Sequence, residues 1–284
     1  MLIKRVLNSL RGDPFGGVSS FDPQSTTRLA QMRNAILAVE ADSFTTQERA
    51  WFARIEELRE EMNASEEMLE AWDRPWLDES PEIREKLSIG ASTRYETAIS
   101  KAKACKASKS GRACRLLFAL VRHTHPESVV EMGTNVGISG LYIAAALECN
   151  GSGRLVTMEG APSKAALARD NFARAGLADR MTVVVGDFND TLDGVIAAAR
   201  PVDMAFIDGF HDGPATLRYH AMIKANAAQD AVLVYDDIRW SKGMQAAWQT
   251  LAAEPDTGTV IDLGPVGFWT RDQPGKVVRA RYRL

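Results

Sequence analysis

Five short apolar runs in the second half of the chain deliver acidic side chains at or near their carboxyl ends. They are Glu131 within residues 128–133, Glu159 within 154–160, Asp187 closing 181–187, Asp208 closing 202–208, and the pair Asp236-Asp237 closing 231–237. A single acid in such a place commonly caps the following helix. Five along one rim repel one another unless a ligand, a cation or hydrogen-bond donors neutralise them. The first run leads into Gly133-Thr134-Asn135-Val136-Gly137-Ile138-Ser139. Glycines in that turn admit a ligand close to the backbone, and the helix that follows offers free N–H groups to a carboxylate or phosphate. Glu159, ending the second run, is suited to accept hydrogen bonds from both hydroxyls of a ribose. The pattern predicts a ribose-containing ligand. A dinucleotide such as NAD is disfavoured, because its G-x-G-x-x-G turn needs a middle glycine where Asn135 stands.

These side chains need a scaffold. The runs are too short for helices, are rich in Val, Ile, Met and Phe, and alternate with helical stretches at 140–149, 163–175, 191–199 and 215–225. Such runs read as strands covered on both faces, and their alternation with helices predicts a parallel sheet with right-handed crossovers. In this α/β, doubly wound architecture, ligands bind outside the carboxyl ends of the strands. Shorter stretches at 260–263, 267–270 and 277–282 are expected to close one sheet edge in antiparallel fashion. The N-terminal part is written in a different period. Leu29, Met32, Ile36 and Val39, then Trp51, Ile55, Leu58 and Met62, recur at helical spacing in a stretch running to about Asp73, and Thr45 and Glu48 are spaced as a capping box. Pro75 and Pro81 break the pattern, a further helix is expected over 92–107, and a turn at 108–111 leads into a helix through Leu116 and Leu120. The chain therefore divides into a helical extension, 1–110, and an α/β domain, 111–284. The extension reads as a lid or as an arm exchanged with a second subunit, with Trp51, Phe52, Trp72 and Trp76 available for either burial.

The turn EMGTNVGIS, followed in strand order by Glu159, Gly186-Asp187, Asp208 and Asp236-Asp237, resembles class I S-adenosylmethionine-dependent methyltransferases, in particular the catechol and caffeoyl-CoA O-methyltransferase-like family. The resemblance spans Ser128 to about Thr270. It implies a mostly parallel Rossmann-like methyltransferase fold with S-adenosyl-L-methionine as cofactor. By that resemblance Glu131, Gly133, Thr134, Asn135, Gly137 and Ser139 would surround the methionine part, Glu159 would hold the ribose, and Asp187 with Phe188 would flank the adenine. Asp208 would border the cofactor, and with Asp236 and Asp237 it would hold a divalent cation: Mg²⁺, or alternatively Mn²⁺ or Ca²⁺. The family places a catalytic lysine three residues beyond its metal-binding Asp; here His211 stands at that offset, in DGFHD. With Asp208 it forms the catalytic set, as general base or as a cofactor-positioning residue. The implied activity is divalent-cation-assisted O-methylation of a small hydroxylated molecule. The alternatives are a metal-independent N- or carboxyl-methyltransferase of the same fold, and a non-catalytic nucleoside-binding regulatory protein.

Other features read more plainly. Residues 239–242, Arg-Trp-Ser-Lys, line a substrate mouth or form a surface loop, and Ser108, Lys109 and Arg112 read as a solvated helix start whose alternative is to face the pocket. His123, His125 and His220 read as structural. Hydrophobic residues at 45% and charged residues at 25% exclude a wholly disordered or collagen-like chain. With 34 basic against 37 acidic residues, a net charge of −3 offers no positive field to nucleic acid or anionic lipid. Cys105, Cys114 and Cys149 show neither metal-type spacing nor an even disulfide set, the opening MLIKRVLNSLRG lacks a secretory core, and charges interrupt every apolar run before it could cross a bilayer. A cytoplasmic protein is expected, with a small-molecule methyl acceptor, no nucleic-acid or membrane partner, and a homodimer through the N-terminal helices as its candidate assembly.

Overall fold

The computed structural model describes residues 27–73, 95–254, 258–271 and 277–279. Helix α1 (Arg28–Glu40) starts at Thr27, whose hydroxyl accepts from the amide of Ala30. Helix α2 (Thr46–Asn63) starts with the predicted capping box: Glu48 N donates to Thr45 Oγ1 at 3.2 Å, and Thr45 N donates to Glu48 Oε2 at 2.9 Å. The helical reading overruns beyond this point. Met68–Asp73 is a strand, β1, paired antiparallel with β2 (Tyr95–Ser100), where a helix from residue 92 was expected. The reason is local. In β1 exposed Met68, buried Leu69 and exposed Glu70 alternate with period two, and Ser100 ends β2 by capping helix α3 (Lys101–Lys106) through a hydrogen bond from Lys103 N. Helix α4 (Gly111–Thr124) follows a turn at 107–110 and ends at His125 in the left-handed conformation. Trp76 and the side chain of Trp72 lie outside the described residues.

The α/β alternation follows the expected strand positions: β3 (Ser128–Met132), α5 (Ile138–Asn150), β4 (Arg154–Glu159), α6 (Pro162–Ala175), β5 (Met181–Val185), α7 (Phe188–Ala199), β6 (Val202–Ile207), α8 (Gly213–Ala225), β7 (Ala227–Tyr235) and α9 (Lys242–Ala253). Strands β8 (Thr259–Asp262), β9 (Gly267–Thr270) and β10 (Val277–Arg279) complete an eight-stranded sheet of order β10-β8-β9-β7-β6-β3-β4-β5. Pairings from β5 across to β7 are parallel, and β9 runs antiparallel to both β7 and β8, as the tail's reading anticipated. Against that reading, β10 pairs parallel to β8. This is a mostly parallel, doubly wound Rossmann-like fold.

The central strands alternate their apolar side chains between two cores. Val129, Met204, Phe206, Val232 and Val234 face one layer, whereas Val130, Met132, Ala205, Ile207, Leu233 and Tyr235 face the other. The N-terminal helices belong to the first layer. Phe52 on α2 stacks on Tyr142 of α5 at 5.3 Å between ring centroids and meets Phe118 of α4 edge-on at 4.8 Å. The chain lays β3, β4 and β5 outward in one direction and then returns to place β6 on the other side of β3. That reversal opens a crevice at the carboxyl ends of β3 and β6.

Candidate functional site

Along that crevice runs a cleft of about 580 Å³, lined by the first turn, the ends of β4, β5, β6 and β7, and residues 107–109 of the N-terminal part. Its floor is set by Gly133, with φ at +104°, where a Cβ would stand 2.3 Å from the carbonyl oxygen of Asp208. Only glycine permits this approach of the β3 and β6 ends. Asn135 also adopts a left-handed conformation, with φ at 48°. Its amide donates to Glu159 Oε2 at 2.8 Å, while Ala161 N donates to Glu159 Oε1 at 2.9 Å. Two backbone donors thus aim the Glu159 carboxylate at the cleft, although burial pushes its pKa up. The side-chain amide of Asn135 donates to Ala104 O at 2.7 Å and Ser108 Oγ at 3.3 Å, tying the turn to the α3–α4 connection, and its Oδ1 is buried without a hydrogen-bond partner.

Glu131 lies beneath the cleft, fully buried. Ser139 and Thr157 each donate a hydroxyl to it at 2.6 Å, and burial pushes its pKa up to about 7. Thr134 reaches the same network through Thr157 at 2.5 Å. Ser139 and Thr134 line the cleft; Glu131 acts through them. Gly137, φ at +92°, starts α5 without a side-chain cap, which leaves that helix's first N–H groups facing the turn. Asp187 caps α7 by accepting from Asn189 N at 2.9 Å while also bordering the cleft. Phe188 beside it meets Tyr219 edge-on and lies across Gly209, where a Cβ would come within 2.4 Å of its ring.

At the other end of the cleft the acids converge on one cation. Lys109 Nζ stands 3.2 Å from Asp208 Oδ1 and 3.6 Å from Asp237 Oδ2, and it pairs directly with Asp236. Asp236 is 4% exposed, and burial pushes the Asp208 pKa up to about 7 against the opposing pull of Lys109. His211 Nε2 lies 3.7 Å from Asp208 Oδ1 and 3.6 Å from Asp237 Oδ2, and burial holds its pKa below the ordinary histidine value. Phe210 and Asp237 hold left-handed backbone conformations, with φ at 62° and 52°. Non-glycine residues so placed are rare and gather where a loop must present particular side chains. Trp240, 61% exposed, faces His211 at 6.1 Å between ring centroids.

The sequence reading favoured a solvated helix start for Ser108, Lys109 and Arg112. Ser108 and Lys109 instead face the cleft, and Arg112 pairs with Glu40 at the surface. Charge balance was the signal available: three carboxylates converging on one site call for a cation, and no basic residue stands beside them on their own loops before Arg239. His123 sits on α4 and His125 ends it, while His220 is buried with Nδ1 2.5 Å from Tyr235 OH. Each stands in a structural setting.

Residues 130–238 match the family described as a methyltransferase domain. Over 137 residues the chain is 35% identical to a catechol O-methyltransferase of Mycobacterium tuberculosis, a match covering 48% of this chain and 60% of that one. The cofactor-bound structure of Rv0187 from MTB superposes with a TM-score of 0.52 at 28% identity, covering 59% of this chain and 84% of that one. An O-methyltransferase from Bacillus cereus in complex with SAH gives 0.50 at 26% identity, covering 57% and 82%. Over this segment the chain is therefore similar to methyltransferase domains. The matched segment includes the β3–α5 turn and the acid-bearing strand ends; Lys109 enters the cleft from outside it. Within the matched segment, Asp208, His211 and Asp237 offer ligand atoms within 4.8 Å of one another, an oxygen-rich set with one imidazole that suits a divalent cation; Asp236, expected as a third ligand, is outside this set and pairs with Lys109. Among the described residues no helix is long and apolar enough to cross a membrane.

Proposed function

We propose that the chain is an S-adenosylmethionine-dependent O-methyltransferase that methylates a small hydroxylated acceptor, with a divalent cation assisting at the acid cluster. One observation carries the reading: a single cleft holds, at one end, Glu159 beside the glycine turn and, at the other, Asp208, Asp237 and His211. The first end has the chemistry to hold a nucleoside, the second to activate a hydroxyl.

When bound, the adenosyl sulfonium supplies an electrophilic methyl group, and a divalent cation lowers the pKa of the acceptor hydroxyl. The chain's own residues do the rest. Glu159 accepts from the ribose hydroxyls, Thr134, Asn135 and Ser139 bound the methionine part, and Asp187 and Phe188 flank the adenine, all as lining residues of the cleft. Asp208 and Asp237 would hold the cation, while Asp236 pairs with Lys109. His211, kept neutral by burial, would take the proton of the acceptor hydroxyl at Nε2, leaving the oxygen nucleophilic toward the methyl group that the cofactor would supply. Trp240 offers a flat apolar wall at the mouth, suited to a planar acceptor.

The matched stretches span 60% and 55% of the first two curated relatives, both catechol O-methyltransferases, so the substrate class rests on the cleft itself. A second reading, a metal-independent N- or carboxyl-methyltransferase, is favoured by the ammonium of Lys109 already standing among the three acids. Calorimetry with S-adenosylhomocysteine, followed by a screen of phenolic, carboxylate and amine acceptors with Mg²⁺ or with chelator, separates these readings. Tight nucleoside binding and Mg²⁺-dependent turnover of a hydroxylated acceptor are expected. Absence of nucleoside binding would sink both readings, and chelator-resistant turnover would favour the second.

A further inference from the structure

Lys109 stands on the turn between α3 and α4, outside residues 130–238, and among the described residues it and His211 form the ion pairs of Asp208, Asp236 and Asp237. Its side chain is 18% exposed, so the ammonium is drawn out of solvent into the cluster. Lys109 and His211 address the same two atoms, Asp208 Oδ1 and Asp237 Oδ2. Asp208, Asp237 and His211 are also the residues whose ligand atoms lie together closely enough for a cation. A divalent cation on those oxygens and an ammonium within ion-pairing range of the same oxygens repel each other across a few ångströms, well inside the distance over which salt screens charge. Without either cation, three carboxylates, one of them 4% exposed, face one another uncompensated. A cation among these oxygens relieves that repulsion, and the ammonium and a bound metal would draw on the same two oxygens. Lysine suits exchange: its charge is compact and its four-carbon stem is flexible, so it can leave without moving the turn that carries it.

We propose that Lys109 is a tethered counter-ion that competes with the divalent cation for the acid cluster, so that the seated lysine and the bound metal exclude each other. The proposal rests on the cation-assisted reading above and adds to it a device that neutralises the site in the metal-free protein and sets its metal affinity.

The test is metal binding, not turnover. Full-length, chelator-stripped protein is titrated with Mn²⁺, with free Mn²⁺ followed by its electron paramagnetic resonance signal, for wild type and Lys109→Met. Removing the ammonium while keeping the stem should tighten Mn²⁺ binding by about tenfold or more, and the variant should melt lower than wild type without metal and recover when Mn²⁺ is added. Equal or weaker binding in the variant would overturn the proposal, as would no binding in either protein. Should Lys109→Met fail to fold, wild type alone suffices: acetylation of Lys109 by an amine-selective reagent, read by peptide mass spectrometry, should rise on adding Mg²⁺ while Lys106 stays constant. An unchanged Lys109 rate would overturn the exchange. Calorimetry with S-adenosylhomocysteine on the same samples keeps the two ideas apart. Competition without nucleoside binding would refute the methyltransferase reading alone, and nucleoside binding without competition would refute this proposal alone.

Discussion

Ser139 donates its hydroxyl to the buried carboxyl of Glu131 at 2.6 Å, joining the first turn of α5 to the middle of β3 beneath the cleft. Thr157 on β4 donates to the other oxygen, so the acid clamps three elements. Burial nevertheless outweighs these hydrogen bonds and pushes the pKa from an ordinary 4.5 up to about 7. A carboxyl whose pKa is higher folded than unfolded contributes stability below the unfolded value and loses it as pH rises through the folded one. Stability should therefore fall between about pH 4.5 and pH 7 through this group. Glu131→Gln, which cannot ionise, should gain on wild type by up to roughly 3 kcal/mol between pH 4 and pH 8. Urea unfolding across that range checks it; a difference that does not vary with pH would refute the assignment.

Glu159 is aimed by the amides of Asn135 and Ala161. Glu159→Ala is expected to weaken S-adenosylhomocysteine binding by about 10- to 100-fold, the loss that follows removal of a charged hydrogen-bond acceptor. Calorimetry reads this directly, and affinity equal to wild type would remove Glu159 from the nucleoside site.

For His211, replacement by Gln should lower kcat by about 10²- to 10⁴-fold, the usual worth of a positioned general base, while nucleoside affinity stays as in wild type. The pH profile offers a second readout, because the ascending limb that reports the base should disappear. A variant with wild-type kcat would leave His211 with a positioning role only.

Phe52 tests how firmly the N-terminal helices belong to the fold. It is 4% exposed and touches Phe44, Phe118 and Tyr142, with centroids at 4.9, 4.8 and 5.3 Å. Phe52→Ala should cost about 3–5 kcal/mol in equilibrium unfolding, in one cooperative transition. A loss below about 1 kcal/mol, or a separate early transition, would mean that α2 folds apart from the α/β core.

Much of this protein was legible before any fold was known, because the relevant signals are local. Strands β3 to β7 were visible as short apolar runs, the pattern of strands buried on both faces, although β5 at the sheet edge leaves Thr182 and Val185 exposed. Acids at their ends, the glycine turn at Gly133 and the capping box at Thr45 and Glu48 depend only on neighbours a few residues away. The hairpin of β1 and β2 was not legible, because Leu69 and Ile99 become partners only when distant segments pair in register, and helical periodicity carried the reading past its true end at Asn63. Glu131 looked like a cleft residue from its place in the motif; the pleat of β3 turns it inward, under Ser139. Lys109 is the sharpest case. Nothing near it in the chain says that it meets Asp208, Asp236 and Asp237, and only the packing of α3 and α4 against the sheet brings its ammonium to the rim. The order of residues along the chain determined which strand ends carry acids, for that is a matter of short-range pattern. Which cation answers those acids was decided by tertiary packing, because a buried charge is neutralised by whatever the fold carries within a few ångströms of it.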